Sequence, residues 1–222
     1  MLLAVDTSTK TMGVALYTET GVLGEMIWQS DNYHTVELAP AIAQLLSRCE
    51  KRPSDLQVLA AAIGPGSFTG LRIGLAVIKG MALGLKIPVI GVPSLDVVAA
   101  AQPVINADLA AVLHAGRGRL AVGWYAAEEG VWTPQGPLEV LSADELVKRI
   151  NKRTLISGEL TAEEQRILAR RYRNVVLASP AFAIRRPSFV AELAWKRWQN
   201  HDTDDPATLA PMYLHSGEEI SA

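Results

Sequence analysis

The chain has 222 residues, a formal net charge of −2 at neutral pH and a single cysteine, Cys49. Hydrophobic residues make up 49 % of it, enough to bury a sizeable core in one large domain or two small ones. The lone cysteine excludes an internal disulfide framework and multi-cysteine metal sites, and it suits a reducing compartment.

The N-terminus opens on a strand-like Leu2–Val5 rather than a charged stretch followed by a long apolar one, so no signal peptide is expected. The turns Asp6-Thr7-Ser8-Thr9-Lys10 and Thr18-Glu19-Thr20-Gly21 join the strands Leu2–Asp6, Thr11–Tyr17 and Val22–Gln29. Thr35–Glu50 reads as an amphipathic helix with Leu38, Ile42, Leu45 and Leu46 on one face. Pro53-Ser54-Asp55 closes it, and Val58–Ile63 is an apolar run of strand length. A glycine-rich loop and helix run to Leu85, the strand Pro88–Val92 follows, and Ser94 is expected to cap a short helix through Ala101. Gln102–Asp108 is the best linker, which divides the chain into lobes 1–102 and 103–222.

The second lobe begins with the strands Leu109–His114 and Arg119–Ala126. Capping boxes at Ser142–Glu145 and Thr161–Glu164 open helices to about Lys152 and Arg171, with the strand Leu155–Ser157 between them. The strand Val175–Ala178 and a helix Ser188–Asn200, with Trp195 and Trp198 packed, lead into an acidic tail, the last part of the lobe returning to pack on the first. This order argues for an α/β fold of two related lobes, with any nucleotide held between them. The longest apolar helical stretch, Ile73–Leu85, contains Lys79 and falls short of the ~20 residues a membrane span needs. A cytoplasmic protein without membrane contact is expected.

Charge is unevenly spread. Residues 148–197 carry a surplus of eight positive charges, including Lys148, Arg149, Lys152, Arg153, Arg166, Arg170, Arg171 and Arg173. Such a patch suits a nucleic-acid backbone or a solvated helix face, and no aromatic stacking pattern supports base readout.

The most informative stretch is Gly64-Pro65-Gly66-Ser67-Phe68-Thr69-Gly70-Leu71-Arg72-Ile73-Gly74. Gly70, Gly74, Gly80 and Gly84 together cost a helix roughly 3–4 kcal/mol relative to alanine. Missing side chains usually allow close approach of another backbone or of a ligand. A helix start can bind an anion, but the Lys-Ser/Thr pair of a P-loop is missing. Gly66, Gly70 and Gly74 share one helical face. From spacing alone, contact with a second chain and packing within the chain remain equally open.

Asp6-Thr7-Ser8-Thr9 resembles the first phosphate loop of the actin/Hsp70/sugar-kinase (ASKHA) superfamily, in which an acid ends the first strand and small hydroxyl residues lie under the phosphates. The Gly64–Gly74 loop, Ile-Pro-Val-Ile-Gly-Val at 87–92 and Pro211-Met212-Tyr213-Leu214 sharpen this into a resemblance to the TsaB (YeaZ) family of bacterial tRNA-modification proteins. The resemblance implies an ASKHA fold and a role in making threonylcarbamoyladenosine beside the anticodon. In that system TsaD carries the acyl transfer, the ATPase TsaE is a third partner, and TsaB-like proteins are non-catalytic platforms. They pair through two helices of the first lobe, as homodimers or with TsaD. Those helices map to about His34–Ser47 and Ser67–Leu83. The implied interface is His34, Leu38, Ile42, Leu45, Gly66, Phe68, Gly70, Leu71, Gly74, Val77, Ile78 and Met81, and with it the inter-chain reading of the glycine face gains weight. Asp6, Thr7, Ser8 and Thr9 become a vestigial phosphate loop. No cofactor is required, though weak nucleotide binding fits the cleft, and tRNA is met through the complex.

The chain departs from the family at several points. The metal-binding histidine pair of the catalytic paralogue falls at Ser94 and Val98, neither a plausible ligand there. His34, His114, His201 and His215 show no metal spacing, and no metal is expected. The family's usual Asp-Ala-Arg-x-Gly-Glu-Val-Tyr is here His114-Ala115-Gly116-Arg117-Gly118-Arg119-Leu120-Ala121, so its acid is lost. Tyr213-Leu214-His215 replaces a usual Tyr-Leu-Arg. The alternative reading is an active small-molecule kinase or ATPase resting on Asp6–Thr9. A peptidase has no zinc motif or catalytic triad to rest on.

Overall fold

The computed structural model describes residues 1–31, 34–170 and 173–214; Arg171 and His215 lie outside them. Strands β1 (Leu2–Asp6), β2 (Thr11–Thr18), β3 (Gly21–Gln29), β4 (Val58–Gly64) and β5 (Val89–Pro93) form one sheet in the order β3-β2-β1-β4-β5. The helices α1 (His34–Arg48), α2 (Phe68–Leu85) and α3 (Ser94–Ala100) are interleaved with them. The second sheet contains β6 (Asp108–Gly116), β7 (Arg119–Glu128), β8 (Val131–Pro134), β10 (Thr154–Gly158) and β11 (Val175–Leu177), in the order β11-β10-β6-β7-β8, while β9 (Glu139–Leu141) pairs with β7. Helices α4 (Ala143–Arg149), α5 (Ala162–Ala169), α6 (Pro180–Ala183) and α7 (Pro187–Gln199) complete the chain.

Strand β1 is central because both of its faces are apolar. Its side chains alternate across the sheet. Leu3 and Val5 join the core under α1 and α2, with Leu38, Ile42, Leu45 and Ile78. Leu2 and Ala4 join the opposite core, where Val190, Ala191 and Ala194 of α7 lie. The last helix thus packs on the first sheet. The segment after it continues there. Asp204 pairs with Val89 at the sheet edge and accepts the Gly91 N–H at 2.7 Å, and the Met212 N–H reaches the Ile63 carbonyl at 2.7 Å. The second sheet is likewise double-covered, by α4 and α5 on one side and α3 on the other. Trp195 and Trp198 meet edge to face, with ring centroids 4.8 Å apart.

Three expectations change. Ser94 is not a helix cap: it is the first residue of α3, the cap position is Pro93, and its hydroxyl is used elsewhere. Strands β8 and β9 and helix α6 were not expected, because at 4, 3 and 4 residues they are too short to show a period. Helix α2 is longer than Ile73–Leu85: it has 18 residues and is long and apolar enough by length and composition to cross a membrane. In this fold it lies against the first sheet.

Candidate functional site

The Asp6–Thr9 loop follows β1 at the junction of the lobes. Asp6, Thr7 and Ser8 are fully buried, and each polar group is used internally. Asp6 accepts the Ser8 N–H at 2.8 Å. The Thr7 hydroxyl donates to the Gly70 carbonyl of α2 at 2.7 Å. The Ser8 hydroxyl pairs with the Ser94 hydroxyl at 2.7 Å, and Ser94 Oγ also accepts the Gly64 N–H. The Thr9 hydroxyl donates to Glu159, just beyond β10, at 2.6 Å. His34, at the start of α1, donates from Nε2 to the Thr9 carbonyl at 3.0 Å, since a carbonyl oxygen only accepts. One short loop therefore gathers the starts of α1, α2 and α3 and the second lobe.

Arg185, between α6 and α7, completes this hub. Its side chain is 1 % exposed. Nε donates to Asp6 at 2.8 Å, Nη1 to Glu159 at 2.6 Å, and Nη2 to the Thr9 hydroxyl and the Thr11 carbonyl at 2.9 and 3.2 Å. Burial disfavours the guanidinium charge, but the two carboxylates outweigh it and hold the pKa above the ordinary value. A cleft of about 610 Å³ opens beside the hub, lined among others by Lys10, Gly66, Ser67, His114 and Glu159.

The glycine face answers to the same loop. A Cβ on Gly66 or Gly70 would fall within 3.0 Å of the Ser8 or Thr7 carbonyl oxygen, and one on Gly74 within 3.0 Å of the Thr7 hydroxyl. Packing within the chain therefore accounts for the small side chain at these three positions. Gly80 and Gly84 differ, since an added Cβ there meets nothing within 4 Å.

The expected interface residues separate in the same way. Leu38, Ile42, Leu45, Leu71 and Ile78 lie in the chain's own core, and His34 is buried against Thr9. An apolar stripe on a sheet-packed helix turns inward, so these side chains are not available at the surface. Val77 and Met81 are half-buried and Phe68 is exposed. The outward side of α2 instead presents Ala76, Gly80, Leu83 and Gly84, and α1 presents Val36, Ala39, Pro40 and Ala43. Leu83 is 82 % and Val36 64 % exposed. At the head of α2, the Arg72 guanidinium lies 3.7 Å over the Phe68 ring and donates to the Tyr213 hydroxyl at 2.8 Å.

In the second lobe, β6 and β7 meet in a tight turn with positive φ at Gly116, Arg117 and Gly118. His114 bonds Glu164 at 3.0 Å. Burial raises the Glu164 pKa, but bonds from His114 and Thr161 outweigh it and leave the group below the usual carboxylate range. Arg119 donates to the Val140 carbonyl, so this arginine turns onto its own lobe. Much of the basic segment is also paired: Arg149 with Glu139, Lys152 with Asp108, Arg186 with Glu25 and Arg197 with Asp202 and Asp204. Val98 is a core residue. Among the described residues, no group of three or more His, Cys, Asp and Glu is placed to hold a metal.

Residues 21–178 match the family model described as TsaD: tRNA N6-adenosine threonylcarbamoyltransferase. The tRNA threonylcarbamoyladenosine biosynthesis protein TsaB of Bacillus subtilis is 34 % identical over 170 residues, 75 % of this chain and 74 % of the relative. The chain belongs to the TsaB (YeaZ) family. A solved structure, YeaZ from Pseudomonas aeruginosa, superposes with a TM-score of 0.80 at 25 % identity, covering 96 % of this chain and 99 % of that one. The wider ASKHA fold appears in the activator of 2-hydroxyisocaproyl-CoA dehydratase from Clostridium difficile, solved with bound ADPNP. It has a TM-score of 0.52 at 8 % identity, covers 90 % of this chain and 97 % of that one, and shows the fold alone. Arg185, Glu159, Ala76 and Leu83 were not singled out from sequence. Arg185 lies 179 residues from Asp6, and no local pattern reports such a pair. Gly80, Leu83 and Gly84 were legible once α2's buried stripe is assigned to the sheet.

Proposed function

We propose that this TsaB-family chain serves in tRNA threonylcarbamoyladenosine biosynthesis as a non-catalytic, partner-binding subunit. Its partners are TsaD and TsaE, with a homodimer when TsaD is absent and tRNA met through the assembly, in the cytoplasm. The observation that carries the reading is the outward side of α1 and α2. Leu83 and Val36 stand exposed there, and Gly80 and Gly84 face open space. An exposed glycine within a helix costs about 1 kcal/mol relative to alanine. Internal packing offsets that cost at Gly70 and Gly74 but not at Gly80 and Gly84. Close approach of a partner helix offsets it there, and small residues permit short interaxial distances. Phe68, Val77 and Met81 border this surface and stay in the proposed interface.

The kinase or ATPase alternative finds less support. Its loop residues are committed to internal bonds, and Asp6 is bonded to Arg185.

The test is reconstitution of tRNA threonylcarbamoylation with TsaD, TsaE, the carbamoyl-adenylate donor and tRNA. Modification should require this chain, the chain alone should do nothing, and Leu83→Glu should abolish the requirement being met while leaving the chain folded. Full modification without the chain, together with ATP turnover by the chain alone, would transfer the assignment to the kinase reading.

A further inference from the structure

A nucleotide with its divalent counter-ion is the ligand that this fold implies between the lobes; the neighbour from Clostridium difficile was solved with bound ADPNP. The residues present do not fit that group. Asp6 comes from the first lobe and Glu159 from the second, and Arg185 pairs with both. The Asp6 oxygens are committed to the Ser8 N–H and to Arg185 Nε. Glu159 Oε1 receives both the Thr9 hydroxyl and Arg185 Nη1. Thr9 Oγ1, which donates to Glu159, accepts from Arg185 Nη2. A guanidinium with its side chain 1 % exposed thus stands between two carboxylates, each of its nitrogens engaged.

We propose that Arg185 is the resident cation of the interlobe junction. It takes the place of a divalent ion between Asp6 and Glu159, bridges the lobes through its own fork, and denies the cleft to metal-bound phosphates. The physical reason is geometric. A guanidinium presents planar N–H donors in a fixed fork and binds two carboxylates without a hydration shell. A hydrated magnesium ion needs near-octahedral oxygen ligands and space for several waters. Both cannot occupy one buried position. The charge relation also makes the substitution specific: removing the arginine leaves the buried Asp6 and the partly exposed Glu159 without their shared counter-charge, an arrangement that favours uptake of another cation.

This inference goes beyond the partner-binding reading and is read by a different measurement, so either can fail alone. The experiment is an amide NMR titration of the full chain with Mn²⁺, whose paramagnetism broadens only nearby resonances. In the wild type, the Ser8 and Gly66 amides should stay sharp at millimolar Mn²⁺. In Arg185→Met they should broaden at Mn²⁺ concentrations at least tenfold lower, and the double variant Asp6→Asn/Arg185→Met should lose that response. Arg185→Lys, which keeps a cation in place, should behave as the wild type. Selective broadening of Ser8 and Gly66 in the wild type overturns the proposal, and so does a folded Arg185→Met that gains no site. If Arg185→Met fails to fold, the wild type decides through the Arg185 Nε–H resonance. Resistance of that resonance to Mg²⁺–ATP supports the proposal, and its displacement overturns it.

Discussion

The two ends of α2 carry the same residue in opposite surroundings. At its start, Gly70 and Gly74 face the Thr7 carbonyl and hydroxyl so closely that no side chain fits. Toward its end, Gly80 and Gly84 face nothing within 4 Å. The first pair lets a helix sit on a buried polar loop. The second pair has no internal neighbour to account for it, and the partner contact proposed above is what would. A glycine-rich helix therefore has to be read face by face, because the same residue meets a buried loop in one place and open space in another.

The largest test of this contrast acts on the hub that the inner glycines pack against. Arg185→Met leaves the buried Asp6 without its counter-charge and unpairs Glu159, and breaking a buried pair costs about 3–5 kcal/mol. Urea unfolding should show that loss, and a loss within the range of an exposed ion pair would detach the hub from the fold's stability. Gly70→Ala comes next. Its Cβ meets backbone rather than a flexible side-chain end, so overpacking should cost about 2–3 kcal/mol. Gly80→Ala should go the other way and stabilise the isolated chain by up to about 1 kcal/mol. Equal effects at the two positions would erase the distinction between the faces.

Leu83→Glu sharpens the outward half. Stability should stay within about 0.5 kcal/mol of the wild type, as for surface substitutions. Association with TsaD, or with a second copy, should weaken at least tenfold in Kd by analytical ultracentrifugation. Unchanged association would exclude this face as the contact.

The smallest effect concerns Asp96. Burial raises its pKa above the usual carboxylate value, and a hydrogen bond from the Tyr125 hydroxyl at 2.7 Å partly offsets this. A carboxyl whose folded pKa exceeds its unfolded one binds more protons in the folded state, so it lowers stability as pH rises through that interval. Asp96→Asn should therefore be the more stable protein at neutral pH, and the difference should vanish below the ordinary carboxylate range. Thermal unfolding across pH checks this, and a gain that persists at low pH would contradict it.

Several features were legible in the sequence because their physics is local. The three opening strands and the capping boxes at Ser142 and Thr161 follow from hydrophobic patterning and from side chains bonding backbone a few residues away. The interface residues were less legible. Leu38, Ile42 and Leu45 mark a helix face by period, but a period does not say whether that face meets the chain's own sheet or another protein. The resemblance named two helices, and several of the residues first named on them lie in the chain's own core.

By itself the sequence determined the order of the longer α and β elements, the family, and the position of the polar loop after β1. These depend on neighbours within a few turns, or on motifs preserved as strings. Only the tertiary structure decided which glycines are covered and that Ser94 bonds Ser8 rather than capping its helix. It also decided that Arg185 fills the junction between Asp6 and Glu159. Those outcomes depend on where chain segments up to 179 residues apart come to rest. A buried charge is tolerated only where such distant partners converge, so its role becomes readable only after the chain has closed around it.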